Sequence, residues 1–211
     1  MKDVAVVDYG AGNLTSVLKG LRAAGASPVV TADADSVARA DAIVIPGVGH
    51  FGATAAVTPE MRRTLVAAAG AGTPILGICL GLQFLFDGST EAPGVPGLGL
   101  LRGECALLRG EGRVKIPHVG WNSLSILGRS RLLAGIEDGA QVYFTHSYAA
   151  PVTDATTATC AHGGTFAAIV ERDQVFGVQF HPEKSADAGL RVLRAFVEIS
   201  KVPHFQISKS C

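Results

Sequence analysis

The sequence predicts an α/β fold: a mostly parallel central sheet flanked by helices, with an antiparallel extension. Two observations lead there. In the first half, short apolar runs alternate with amphipathic ones, the rhythm of a parallel sheet with helices on both faces. In the second half, strand-like runs follow one another across glycine- and proline-rich turns with little helix between them.

Residues 4–7 form a buried strand, followed by a glycine loop and a helix over about 13–24. There Leu14, Val17, Leu18 and Leu21 fall on one core-facing stripe. Strands around 28–30 and 41–45 come next, then a helix around 60–69. The apolar strand 74–78 breaks into residues 80–86, the first turns of another helix. Segments 105–108, 141–145, 165–170 and 175–180 are strand-like. A helix over 189–200, with Leu190, Leu193, Phe196 and Val197 on one face, closes the fold. Residues 89–100, with Pro93, Pro96, Gly94, Gly97 and Gly99, form a surface excursion, and no internal repeat is visible. One domain is therefore expected over 1–201. Pro203 stops the last helix, and the tail 202–211 is expected to lack order.

A chain of 211 residues is long enough for one domain with a sizeable core. Eighteen basic and eighteen acidic residues give a formal net charge of zero, which argues against a nucleic-acid or membrane-surface binder. Charged residues make up only 17%, compatible with a permanent partner or simply with an alanine-rich chain. The four cysteines form no C-x-x-C and the six histidines no H-x-x-x-H pair, so neither metal nor other cofactor is called for. The first eight residues are too short and too acidic for a signal peptide, and no apolar run reaches the roughly 18 residues that span a bilayer. A soluble, cytoplasmic protein with reduced thiols is expected.

Gly77-Ile78-Cys79-Leu80-Gly81 puts a cysteine where strand becomes helix, the sequence form of a nucleophile elbow. The flanking glycines permit a tight turn, and a helix N-terminus favours a thiolate. By itself the pentapeptide suits a nucleophile and a small core residue equally. A second segment shifts the balance. Residues 175–180 alternate like a strand and run into His181-Pro182-Glu183, where an imidazole could take the thiol proton and a carboxylate orient it. Acyl transfer also needs preorganised N–H donors for the developing oxyanion. The Leu80 N–H is one candidate, and the loop Pro46-Gly47-Val48-Gly49, at the end of the 41–45 strand, exposes others.

Taken together, these segments resemble the class I (triad-type) glutamine amidotransferases and, within them, the glutaminase subunits of imidazole glycerol phosphate synthase. The class is carried by Gly77 to Gly81 with Gln83, by His146-Ser147-Tyr148, and by residues 177–183. The narrower resemblance rests on Asp8-Tyr9-Gly10-Ala11-Gly12-Asn13-Leu14, Pro46-Gly47-Val48-Gly49, Pro117-His118-Val119-Gly120-Trp121-Asn122 and Glu183-Lys184-Ser185. It runs in order from about residue 3 to about 200. Three rival readings remain beside it. Gly10-Ala11-Gly12 with Asp33 looks partly like a dinucleotide site, but Thr15 stands where a third small residue belongs. A free-standing cysteine hydrolase would need no partner. The glutaminase of another synthase, such as those making anthranilate, carbamoyl phosphate or pyridoxal phosphate, would share the elbow; Gly120-Trp121-Asn122 and Lys184 tip the choice.

The resemblance implies a Cys79–His181–Glu183 triad that hydrolyses glutamine, with Leu80 and the Gly47–Val48 peptide donating to the oxyanion. It makes Gly49, Gln83, Glu91, Ser147 and Tyr148 the candidates for holding glutamine, Glu91 accepting from its α-ammonium. It further implies a (β/α)₈-barrel cyclase subunit that receives the ammonia in a heterodimer, docking on His118, Trp121, Asn122, Tyr143 and Lys184. The products of that step are imidazole glycerol phosphate and an aminoimidazole carboxamide ribonucleotide, in histidine biosynthesis. In this subfamily the oxyanion loop is held to be set wrongly until the cyclase is loaded, with Gly47–Val48 as the expected switch.

Overall fold

Short, largely apolar runs suit strands of a layered sheet. Four of them, β1 (Asp3–Val7), β2 (Ser27–Thr31), β3 (Ala42–Ile45) and β4 (Ile75–Ile78), open the chain in the computed structural model, which describes residues 3–201 except 111 and 113. The tail 202–211, expected to lack order, lies outside the described residues. The remaining strands are β5 (Gly88–Ser89), β6 (Glu104–Leu107), β7 (His118–Ser123), β8 (Ser125–Ile126), β9 (Gln141–His146), β10 (Tyr148–Ala149), β11 (Thr156–Ala161), β12 (Thr165–Arg172) and β13 (Val175–Val178). The helices are α1 (Leu14–Ala23), α2 (Ala34–Ala38), α3 (Pro59–Gly70), α4 (Leu80–Leu85) and α5 (Ala186–Ile199).

The main sheet has eight strands in the order β2-β1-β3-β4-β13-β12-β11-β8. From β2 to β13 neighbours are parallel; β12, β11 and β8 continue antiparallel. The expected mostly parallel sheet with an antiparallel extension is therefore what forms. Successive side chains of a strand face opposite ways, and the core divides accordingly. Val4, Val6, Val44 and Leu76 face α1 and α5 through Val17, Leu21, Val192, Leu193 and Phe196. Ala5, Val7, Ile43 and Ile75 face α2 and α3 through Val37, Met61 and Leu65. Strands β7 and β9 form a separate antiparallel ladder, and β10, β6 and β5 a small third sheet.

Several elements differ from the sequence expectation. Helix α5 begins at Ala186, and its buried face includes Val192, while Leu190 stays only half-buried. Strand β13 ends at Val178, because its parallel partner β4 stops at Ile78, opposite it in register. Residues 89–100 are not a free excursion: the Gly97, Leu98, Gly99 and Leu101 N–H groups donate to carbonyls of Asp87, Phe84, Phe86 and Leu85. The segment thus satisfies acceptors left open where α4 ends. Strands β7 and β11 were not expected, since neither alternates in hydrophobicity; cross-strand hydrogen bonding rather than patterning makes them strands. Among the described residues no helix is long and apolar enough to cross a membrane.

Candidate active site

Strands β3, β4 and β13 are adjacent and parallel, so their C-terminal ends open side by side. One motif leaves each end: the Pro46–Gly49 loop from β3, the elbow from β4, and His181-Pro182-Glu183 from β13. Ligand sites of open α/β sheets lie at these carboxyl ends.

The elbow is strained where the thiol sits. Cys79 has φ 54° and ψ −107°, a conformation that a residue with a β-carbon adopts only when its surroundings impose it. Its N–H donates to Val178 O at 2.8 Å, tying the turn to β13. The two flanking glycines serve close approach rather than flexibility. A β-carbon at Gly81 would lie 1.8 Å from Ile45 O, and one at Gly77 would lie 2.5 Å from Gly81 O. Sulfur Sγ lies 3.9 Å from Thr145 O and 3.7 Å from Gln179 Nε2.

His181 and Glu183 are both buried as side chains, and Nδ1 stands 2.8 Å from Glu183 Oε1. A carboxylate accepts, so Nδ1 carries the proton and Nε2 is left for chemistry; among the described residues no ordinary hydrogen bond occupies it. Burial by itself would lower the His181 pKa, but the adjoining Cys79 and Glu183 outweigh it and raise it to about 9. Ser185 holds this segment in place: its hydroxyl donates to His181 O at 2.7 Å and accepts from the Tyr143 N–H at 2.9 Å.

In front of Cys79 lies a cavity of about 300 Å³. Among its walls are Val48, Gly49, Leu80, Gln83, Glu91, Ser147 and Tyr148, all named from sequence. Gly47 stands behind that wall, where a β-carbon would come within 2.4 Å of Tyr9 Oη and 2.7 Å of Leu80 Cβ. The Tyr9 hydroxyl donates to Pro46 O at 2.7 Å and anchors the loop. Gln83 is buried, and its Nε2 donates to Tyr148 O at 2.8 Å and to Gln179 Oε1 at 3.3 Å. Both amide hydrogens are thus committed, which leaves Oε1 as an acceptor for a ligand. Glu91 Oε2 accepts from the Phe51 N–H at 2.7 Å.

The candidate docking residues divide between two faces. On the β7–β9 ladder Trp121 pairs with Tyr143 and His118 with His146, and consecutive residues alternate sides. Trp121 is 53% exposed and meets the Tyr143 ring edge-on at 6.1 Å, with Lys184 Nζ 5.9 Å from the centre of that ring. His118 is 3% exposed and turned to the interior, and Asn122 shares its side of the strand. The structure therefore gathers Trp121, Tyr143 and Lys184 but not His118. Gln179, Ser185 and Tyr9 lie within the motif stretches quoted from sequence but were assigned no role there. Gln179 had a legible signal, a polar amide between Val178 and Phe180 in an otherwise apolar strand run; the structure buries it fully.

Comparison with known proteins gives the family. The family model for glutamine amidotransferase class-I matches residues 5–199, and the chain belongs to that family. It is 47% identical to imidazole glycerol phosphate synthase subunit HisH of Methanothermobacter thermautotrophicus, over 93% of the chain and 98% of the relative. It is 45% identical to the protein of that name from Thermococcus kodakarensis, over 92% and 98%. The resemblance to the imidazole glycerol phosphate synthase subunits thus holds along nearly the whole chain. Among solved structures, PurLQS from Thermotoga maritima superposes with TM-score 0.72 at 22% identity, covering 94% of this chain and 99% of that one. A GMP synthase subunit from Thermoplasma acidophilum gives 0.70 at 19%, covering 95% and 94%; both likenesses speak to the fold.

Proposed function

We propose that this chain, a class I glutamine amidotransferase of the imidazole glycerol phosphate synthase type, hydrolyses glutamine at Cys79 and hands the ammonia to a cyclase subunit. The observation that carries the reading is a strained, pocket-facing Cys79 beside a buried His181–Glu183 pair whose free nitrogen is Nε2. His181 Nε2 takes the thiol proton as Sγ attacks the side-chain amide carbon of glutamine. The Leu80 N–H and the Gly47–Val48 peptide hold the resulting oxyanion. The tetrahedral adduct collapses to a thioester, and His181 gives its proton to the departing ammonia. Water, deprotonated by His181, then attacks the thioester and releases glutamate and the thiol. Glu183 keeps Nδ1 protonated throughout and stabilises the imidazolium.

Gln83 Oε1 and the second oxygen of Glu91 accept from the α-ammonium of glutamine, and the backbone at Ser147 and Tyr148 receives its carboxylate. Trp121, Tyr143 and Lys184 receive the (β/α)₈-barrel cyclase in a cytoplasmic heterodimer that serves histidine biosynthesis. An exposed tryptophan stacked edge-on against a tyrosine has the composition of an interface anchor.

Glutamate release from glutamine tests the reading, measured for the chain alone and with a cyclase subunit loaded with its nucleotide ligand, with Cys79→Ala as control. Strong turnover only with the loaded partner, abolished in the variant, is the expected result. Turnover that needs Cys79 but no partner would leave the hydrolysis standing and remove the coupled synthase. Turnover that survives Cys79→Ala would remove the triad.

A further inference from the structure

At the wall of the cavity two buried histidines join end to end. His118 Nδ1 lies 3.1 Å from His146 Nε2, and His146 Nδ1 lies 2.9 Å from Tyr148 O. The carbonyl can only accept, so His146 carries its proton on Nδ1, and in the neutral ring Nε2 is then an acceptor. His118 must therefore donate from Nδ1 and accept at Nε2, where Asn122 Nδ2 stands at 3.3 Å. One tautomer at Tyr148 dictates the next, and the chain of donors runs in a single direction from half-exposed Asn122 to the cavity wall. The rings are held by more than these bonds: His118 stacks on His162 at 3.9 Å and on Phe144 at 4.6 Å. Both rings are kept neutral by burial, His118 with a pKa lowered to about 4 and His146 to about 3.

Tyr148 O is the shared acceptor. It receives the His146 Nδ1–H on one side and the Gln83 Nε2–H, at 2.8 Å, on the other. We propose that His118 and His146 are positioning residues for glutamine: through the Tyr148 carbonyl they fix which way the Gln83 carboxamide faces the cavity. The amide is nearly symmetric in shape but not in chemistry. With Tyr148 O pinned, Gln83 turns Oε1 to the ligand; with Tyr148 O free to rotate away, the amide can reverse and present N–H groups to an ammonium. The cost falls on glutamine binding rather than on the attack by Cys79, so KM is the parameter that moves. This inference rests on the glutaminase reading above.

The test measures kcat and KM for glutamine on the complex with the loaded cyclase subunit, with circular dichroism as a check of folding. His146→Phe and His118→Phe keep a flat ring and remove the relay; each is expected to raise KM about tenfold and leave kcat within about threefold. His146→Asn places an amide nitrogen near the position of Nδ1, and it is expected to bring KM back to within about threefold of wild type. Asn122, half-exposed, also donates to Ala161 O at 3.1 Å; Asn122→Ala, checked for folding in the same way, is expected to raise KM about threefold. Unmoved KM in the phenylalanine variants would overturn the relay, as would an asparagine variant no better than phenylalanine. If both phenylalanine variants fail to fold, an unmoved KM in Asn122→Ala overturns it. Wild-type turnover with no relay effect leaves the glutaminase reading intact, whereas absence of wild-type turnover removes both.

Discussion

A single buried histidine makes the stability of this protein sensitive to acid in a calculable way. Burial lowers His146 from 6.5 to about 3, against the opposing hydrogen bond to Tyr148 O, and the nearby His118, His162 and His181 add to the lowering. An unfolded chain lets the same imidazole titrate near 6.5. Below that value the unfolded state takes up a proton that the folded state refuses, so stability falls as pH falls, through a window that closes near 3. The slope is about 1.4 kcal/mol per pH unit, which amounts to a loss of about 2.7 kcal/mol by about pH 4.5. Carboxylates titrate in the same range, so the measurement is a difference. Urea unfolding of wild type and His146→Asn, followed by circular dichroism between about pH 7 and 4.5, should show wild type losing about 2.7 kcal/mol more than the variant. Curves that stay parallel would mean that His146 titrates normally when folded. Burial would then not be keeping the folded ring neutral below 6.5.

Three further outcomes follow from the packing of the site. Gly81→Ala drives a β-carbon to 1.8 Å from Ile45 O, a contact with backbone that cannot yield; a loss of about 3 kcal/mol or more in thermal or urea unfolding is expected. Glu183→Gln removes a group that, with Cys79, holds His181 up at about 9; since His181 acts as the base, the acid limb of glutamate release should move down by about one pH unit, with kcat lower by about 10²-fold or more. Trp121→Ala should leave the unfolding free energy within about 0.5 kcal/mol of wild type, since the ring is 53% exposed, while a titration against the cyclase partner shows at least about tenfold weaker association.

The layered sheet was legible because its central strands are continuous apolar runs and its helices amphipathic, patterns that burial on two faces or on one imposes directly on sequence. The elbow was legible for a related reason: approaches as close as Gly81 to Ile45 O admit only glycine, so the geometry is written into the residue type. Cys79, His181 and Glu183 could be named before any fold, because each follows an apolar strand. Their convergence could not, since it depends on β4 lying next to β13 despite the long stretch of chain between them. Strands β7 and β11 stayed hidden, because their polar and small residues take strand form only through partners supplied by β9 and β12. His118 shows the limit most plainly. Sequence placed it on the docking surface beside Trp121, but the pleat of β7 turns neighbouring odd and even positions to opposite sides. The residue types and the local turns were therefore set by the sequence itself, through sterics and hydrophobic period. Which side each residue faces, and which distant groups it meets there, was decided only by the pairing of strands far apart in the chain.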